Sequence, residues 1–106
     1  MSLPNYIRVL GVDHELNEDD TLSTQGQPGL YVFATGEIKL ASGQSPEKNI
    51  EAVIHELMEV GQESFEWELE HKIMKSIGRF FMAVLLDNPD FVAHILTMCD
   101  DTEVDE

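Results

Sequence analysis

Residues 29–61 read GLYVFATGEIKLASGQSPEKNIEAVIHELMEVG, and the fold expected of the chain follows mainly from these residues. Its first part contains two β-rich segments, residues 29–34 and 37–41, which are joined by Thr35 and Gly36. In the second segment apolar and charged residues alternate, as they do in a strand with one buried face. A short connection that contains glycine between two such segments is typical of a β-hairpin. We therefore expect two antiparallel strands here.

The second part of the same stretch predicts an amphipathic helix. Ser45 can accept a hydrogen bond from a free amide of the first turn, Pro46 suits the first helical position, and Glu47 suits the positive end of the helix dipole. Gly61 is a typical residue at which a helix ends. Between these signals, apolar residues recur at helical spacing: Ile50, Val53, Ile54, Leu57 and Met58.

The remaining elements are predicted on both sides of this stretch. Residues 6–12 are β-rich and indicate a strand, whereas the polar residues 13–28 indicate a loop or an irregular edge. A second long helix is expected from about residue 64 to residue 86, ended by Asp87-Asn88-Pro89, with a short helix over residues 91–98. The buried stripe of the second long helix is predicted to contain Ile73, Ile77, Phe80, Phe81, Val84 and Leu85. The fold expected is α+β: a small antiparallel sheet of about three strands, then two long helices and a short C-terminal helix.

The chain is strongly acidic. Its 106 residues include 21 Asp and Glu but only six Lys and Arg, so the formal net charge is −15. Such a charge repels phosphate backbones and attracts basic partners and cations, so direct nucleic-acid binding is not expected. Residues 99–106 have little apolar surface to bury, which predicts an acidic disordered tail after a single domain of residues 1–98. Two interpretations of the acidity are open: solubility, or a surface that mimics DNA and occupies a DNA-binding protein.

Cysteine usage and hydropathy predict a cytoplasmic location. Cys99 is the single cysteine, which excludes an internal disulfide framework. The chain shows no signal-peptide pattern, and no apolar run approaches the ~20 residues needed to span a bilayer. We therefore expect no membrane partner.

Three other side chains with chemical potential are interpreted as structural. His14 is expected at the surface, and His94 is expected to be partly buried in the short third helix. Cys99 has no basic neighbour that would activate its thiol.

The candidate chemistry lies in His55-Glu56-Leu57-Met58-Glu59. Residues four apart on a helix share one face, so the side chains of His55 and Glu59 can grip one ion. Glu56 is rotated from them by roughly a quarter turn. In the HExxH arrangement of zinc peptidases, this offset lets the glutamate reach the metal-bound water. The pentapeptide alone is also compatible with a solvated helix face.

The order of further segments strengthens the indication of a metal site. These segments are IRVLG (residues 7–11), the hairpin around Gly36, SPE (45–47), IHEL (54–57) and VLLDNP (84–89). Taken together in this order, they resemble short phage-associated zincin-like proteins related in layout to ImmA/IrrE-type metallopeptidases. In those proteins a small antiparallel sheet precedes a helix carrying HExxH, and a second helix supplies an acidic third ligand and ends in Asp-Asn-Pro. The resemblance covers roughly residues 6–91.

The resemblance implies a role for each matching residue. His55 takes the place of the first metal ligand, and Glu56 takes that of the general base. Glu59 stands where the family has its second histidine, and His71 stands where it has its acidic third ligand. These two departures are complementary, because the resulting set is still two imidazoles and one carboxylate, as in known zinc sites with one open position. We therefore favour a retained, rearranged site over an inactive one.

The function implied is that of a zincin-like metal-binding protein, a metal-dependent peptidase of phage or prophage origin. Its cofactor would be Zn²⁺, and its substrate or partner would be a protein or peptide, including basic ones. Glu68 and Glu70 are the alternative third ligands if the alignment shifts by a residue or more. The alternative function is a catalytically inactive acidic interaction module on the same scaffold, including an inhibitor that mimics DNA.

Overall fold

The computed structural model describes residues 3–104, and for residues 98–104 it describes the backbone alone. An α+β fold is confirmed. The elements follow in the order β1 (Tyr6–Val9), β2 (Val12–Asp19), α1 (Asp20–Thr24), β3 (Gly29–Val32), β4 (Glu37–Ala41), α2 (Pro46–Phe65), α3 (His71–Asp87) and α4 (Pro89–Val104).

Four strands form one mixed sheet in the order β1-β2-β4-β3. The predicted hairpin is present, with β3 antiparallel to β4 and Tyr31 opposite Ile38. β1 and β2 form a second antiparallel pair, whereas β2 runs parallel to β4 with Leu16 opposite Ile38. The sheet therefore has one parallel pair in its centre, and β3 lies at an edge.

The loop predicted for residues 13–28 is wrong, because most of β2 and all of α1 lie in it. β2 is polar, but His14 and Leu16 are two residues apart and both face the interior, while its other side chains are more exposed. A strand with one buried face needs only these alternate positions to be sequestered. α1 follows at once because the Asp19 carboxylate accepts a hydrogen bond from the Thr21 amide and caps the helix.

α2 begins as predicted, with the Ser45 hydroxyl accepting a hydrogen bond from the Lys48 amide. It does not end at Gly61. The helix continues to Phe65 and ends at Glu66, which is in the left-handed conformation (φ 56°). Gly61 instead makes room for Trp67: a Cβ at position 61 would lie 2.7 Å from the indole. Gly61 is therefore required because the Trp67 side chain, in the segment that reverses after α2, packs against it.

The core lies between α2 and the centre of the sheet. Ile38 and Leu40 of β4 are almost completely buried, with relative exposures of 0% and 1%. The cluster consists of Leu16, Ile38, Leu40, Ala52, Val53 and Val60. Burying a large aliphatic side chain stabilises a fold by about 1.5–3 kcal/mol, so this cluster fixes α2 against the sheet.

α3 and α4 are less buried than the sequence predicts. Met74 and Gly78 are the buried residues of α3, whereas much of the predicted stripe is exposed, including Phe80 at 65%. α4 runs to Val104, past the predicted end at residue 98, so most of the predicted tail is helical. Residues 105–106 lie outside the described part of the chain. The division into domain and tail stays a prediction. Among residues 3–104, no single helix is long and apolar enough to cross a membrane; α3 with Pro89–Thr97 reaches that length and composition, but the two segments meet at 88°.

Candidate metal centre

Two helices position the candidate ligands. His55 and Glu59 lie one turn apart on α2, and His71 is the first residue of α3. The chain reverses between the helices, and two hydrogen bonds to Gln62 hold this reversal. The Trp67 amide donates to the Gln62 carbonyl at 3.0 Å, and the Leu69 amide donates to the Gln62 side-chain oxygen at 3.3 Å. This reversal places the start of α3 beside the middle of α2.

The side chains of His55, Glu59 and His71 converge. Oε1 of Glu59 lies 3.9 Å from Nε2 of His55 and 4.0 Å from Nδ1 of His71. The two imidazole rings are 4.7 Å apart, measured between centroids, and meet edge to face. One potential ligand atom from each residue lies within 4.8 Å of the other two, so the three side chains form a group that could hold a metal ion.

The size of this triangle is close to what a small divalent cation needs. A point equidistant from three atoms at these separations lies about 2.3–2.5 Å from each of them, compared with 2.0–2.2 Å for zinc bound to imidazole nitrogen or carboxylate oxygen. Shifts of a few tenths of an ångström in the side chains would close the difference. The group supplies two nitrogen atoms and one oxygen atom, and it leaves the solvent side open.

The environment of His55 favours its metal-binding protonation state. Burial lowers the pKa of His55 and the nearby charge of His71 lowers it further, while the Glu59 carboxylate opposes this fall without reversing it. The neutral imidazole is the form that binds a metal. The side chain of His55 is 20% exposed and that of Glu59 31% exposed, whereas that of His71 is 70% exposed. The site is therefore anchored in α2, and His71 is the most exposed of its three ligands.

Glu56 is the second buried feature of the site. Its exposure is only 6%, and its carboxylate lies against β3, where a Cβ at Gly29 would come within 3.2 Å of Oε2. Burial raises the pKa of Glu56 to about 7; the negative charge of Glu59 adds to this rise, and a hydrogen bond from the Tyr31 amide opposes it. A carboxyl group with this pKa can both take and give a proton near neutral pH.

The ligands and Glu56 line one cavity of about 500 Å³ between α2, α3 and the edge strand β3. Tyr31 also lines it, and its hydroxyl donates to Oε2 of Glu63 at 2.7 Å. Burial and this hydrogen bond raise the pKa of Tyr31 to about 12, so its hydroxyl stays protonated at neutral pH. The cavity thus has the Tyr31 side chain on one wall and the candidate ligands on another.

α2 and α3 approach closely along the floor of the cavity. A Cβ at Gly78 would lie 3.3 Å from Cγ2 of Ile54, and Nε of Arg79 contacts Oε1 of Glu51 at 3.2 Å. A small residue at a helix crossing lets two backbones come near each other, which here keeps His71 within reach of α2. Gly78 was not singled out from the sequence, because a glycine in a helix gives no signal of what it packs against.

The structure brings together all four residues predicted from the sequence: His55, Glu56, Glu59 and His71 line the same cavity. Neither Glu68 nor Glu70 belongs to the ligand group found among the described residues.

The predictions for the other two histidines are wrong. His14 is buried at 6% exposure, and its Nδ1 donates to the Gly36 carbonyl at 2.7 Å. His94 is exposed rather than partly buried. The Cys99 side chain lies outside the described part of the chain, so its structural role stays a prediction.

No protein-family model, curated protein or solved structure matches the chain. The resemblance to ImmA/IrrE-type proteins therefore stays a hypothesis, and the site itself is the basis for a proposed function.

Proposed function

We propose that this protein binds one divalent metal ion, zinc, through His55, Glu59 and His71, and hydrolyses peptide bonds with Glu56 as general base. The convergence of the three ligand atoms within 4.8 Å is the observation that carries the proposal. Residues 16 positions apart in the chain, on two different helices, supply a donor set of the His₂Glu type that is found in catalytic zinc sites.

Zinc at this position would lower the pKa of a bound water from 15.7 toward ~7. Glu56 would accept the proton of this water and pass it to the leaving amine, a role that suits a pKa of about 7. Gly29 leaves space for the Glu56 carboxylate, which is buried against β3. This burial supports the assignment because it keeps the carboxylate at the cavity wall.

The test compares zinc-loaded wild-type protein with Glu56→Gln and with Glu68→Gln. Glu68 is exposed and outside the ligand group, so its variant controls for the loss of one negative charge. With fluorescently labelled casein as the substrate, we expect wild type and Glu68→Gln to release peptides at the same rate. Glu56→Gln should retain one zinc per chain and be at least about 100-fold slower, the usual contribution of a general base.

Two results would contradict the proposal. A Glu56→Gln variant that is as fast as wild type would remove Glu56 from the mechanism. A wild-type protein that binds zinc but cleaves no casein would favour the non-catalytic interaction module, to which the net charge of −15 would attract a basic partner. Capture of such a partner should then weaken steeply as the salt concentration rises.

A further inference from the structure

The few cationic side chains of this acidic protein are concentrated at the cavity. Only six of the 106 residues are Lys or Arg, and three of these, Lys48, Lys75 and Arg79, line the cavity. Its lining also contains three acidic residues, Glu51, Glu56 and Glu59, so cations and acids are balanced there. The rest of the sequence contains three Lys or Arg residues and eighteen Asp or Glu residues. The cavity is thus an exception to the charge of the chain.

The acidic side chains of the lining already have local roles, whereas two of the cations have none. Glu51 pairs with Arg79, and Glu56 is held at β3, as described above. Among the described residues, neither Lys48 nor Lys75 lies within 4.0 Å of a carboxylate oxygen, the distance that defines an ion pair. With Glu59 engaged by a metal, the balance of charge in the cavity becomes positive.

These cations lie in register with the metal centre. Lys75 follows His71 by one turn on the same face of α3, and Arg79 follows by a second turn. At 1.5 Å per residue, their backbones lie about 6 and 12 Å from His71 along the helix axis. Lys48 lies two turns before His55 on α2, or about 10 Å away. An extended peptide advances about 3.3 Å per residue, so these distances correspond to roughly two to four residues.

We propose that this cavity selects peptides with an acidic side chain two to four residues from the bond at the metal centre, and that Lys75 is the main contact for that carboxylate. This assignment rests on the proposed function, because the metal centre defines the position of the bond. The Nε of Arg79 is used by Glu51, but its guanidinium has further N–H donors for a second carboxylate. Charge-assisted hydrogen bonds of this kind are stronger than neutral ones.

The net charge of the chain does not prevent this selection. At physiological ionic strength charges more than about 8 Å apart are largely screened, so the acidic outer surface acts weakly on a ligand inside the cavity. The side chains within a few ångströms of the ligand determine its binding, and here these include Lys48 and Lys75. Repulsion by the outer surface would mainly lower the association rate and would decrease with added salt.

The experiment uses a capped hexapeptide of alanine and leucine with one glutamate, and its twin with glutamine. Each is titrated into ¹⁵N-labelled protein, both metal-free and as zinc-loaded Glu56→Gln, and the amide shifts are followed. We expect the glutamate peptide to bind about fivefold more tightly in both forms, with shifts at α3 near Lys75. Lys75→Gln should abolish this preference. Lys72→Gln, which changes a lysine of α3 outside the cavity lining, should leave it intact.

Three results would overturn the inference. The first is equal affinity for the two peptides, and the second is no binding of either peptide at millimolar concentration. The third is a preference that survives Lys75→Gln, or that Lys72→Gln removes to the same extent. The metal-free titration separates this inference from the proposed function: a preference that is present without metal supports the acidic subsite even if zinc binding or hydrolysis fails.

Discussion

Replacing Glu56 with glutamine is expected to stabilise the metal-free protein at pH 8, while abolishing its proposed activity. Glu56 is 6% exposed, and its pKa is raised from 4.5 to about 7, mainly by burial. Each unit of pKa shift corresponds to about 1.36 kcal/mol, so ionisation of the carboxyl group costs the folded state roughly 3–4 kcal/mol at most. Glutamine keeps the shape of the side chain and an oxygen that can accept from the Tyr31 amide, but it carries no charge.

The sign of the pH dependence follows from proton binding. Between pH 4.5 and 7 the Glu56 carboxyl of the folded protein holds a proton that the unfolded chain has lost. Wild type therefore loses stability as the pH rises through this window, and it reaches the full loss above pH 7. The glutamine variant has no such loss, so the stability difference between the two proteins should be close to zero at pH 4 and largest at pH 8.

The assay is urea denaturation of both proteins in a chelator at several pH values between 4 and 8. Glu68→Gln is the matched control, because it removes one negative charge at an exposed position and should show no comparable trend. We expect the free energy of unfolding of Glu56→Gln to exceed that of wild type by about 1–3 kcal/mol at pH 8. This range lies below the full cost of burying the charge, because the folded protein and nearby water partly relax around an ionised carboxylate. A difference that is independent of pH, or a less stable variant at pH 8, would refute the assigned environment of Glu56.

Three further predictions concern the framework of the site. Gly61→Ala should displace Trp67, because the added Cβ would lie 2.7 Å from its indole; we expect a red-shifted tryptophan emission, and unchanged emission would contradict the packing. Tyr31→Phe removes the hydrogen bond to Glu63 and should lower the free energy of unfolding by about 1 kcal/mol in urea titrations, where no change would show that the bond contributes nothing. Ile38→Ala should cost about 2–5 kcal/mol, because Ile38 is fully buried at the junction of the parallel and antiparallel pairs; a cost below about 1 kcal/mol would place it outside the core.

The sequence predicts well those features that depend on local chemistry. The hairpin of β3 and β4 follows from alternation and a glycine turn, and the start of α2 follows from a serine cap and a proline. The pairing of His55 with Glu59 follows from helical spacing alone. His71 could be placed beside them only through the order of motifs in the whole chain, because its proximity depends on how the chain reverses after α2.

The features missed depend on tertiary contacts. The sequence pattern does not predict β2, because only His14 and Leu16 of its eight residues are buried and one of these is polar. α2 ends at Glu66, which adopts the left-handed backbone conformation that glycine usually occupies. The nearby Gly61 does not end the helix but leaves space for the Trp67 side chain. The apolar periodicity of α3 predicted a buried stripe, but periodicity does not show whether another element covers a helix face, and Phe80 remains exposed.

Zinc calorimetry of His71→Ala tests whether two imidazoles and one carboxylate from two helices hold one metal ion. Metal-free wild type should bind one zinc ion per chain. His71→Ala should bind it at least about 100-fold more weakly, which exceeds the usual loss when a residue that only hydrogen-bonds to a metal ligand is replaced. His94→Ala is the matched control, because His94 is exposed on α4 and outside the ligand group, and its affinity should equal that of wild type. Equal zinc affinity for wild type and His71→Ala would contradict the claim.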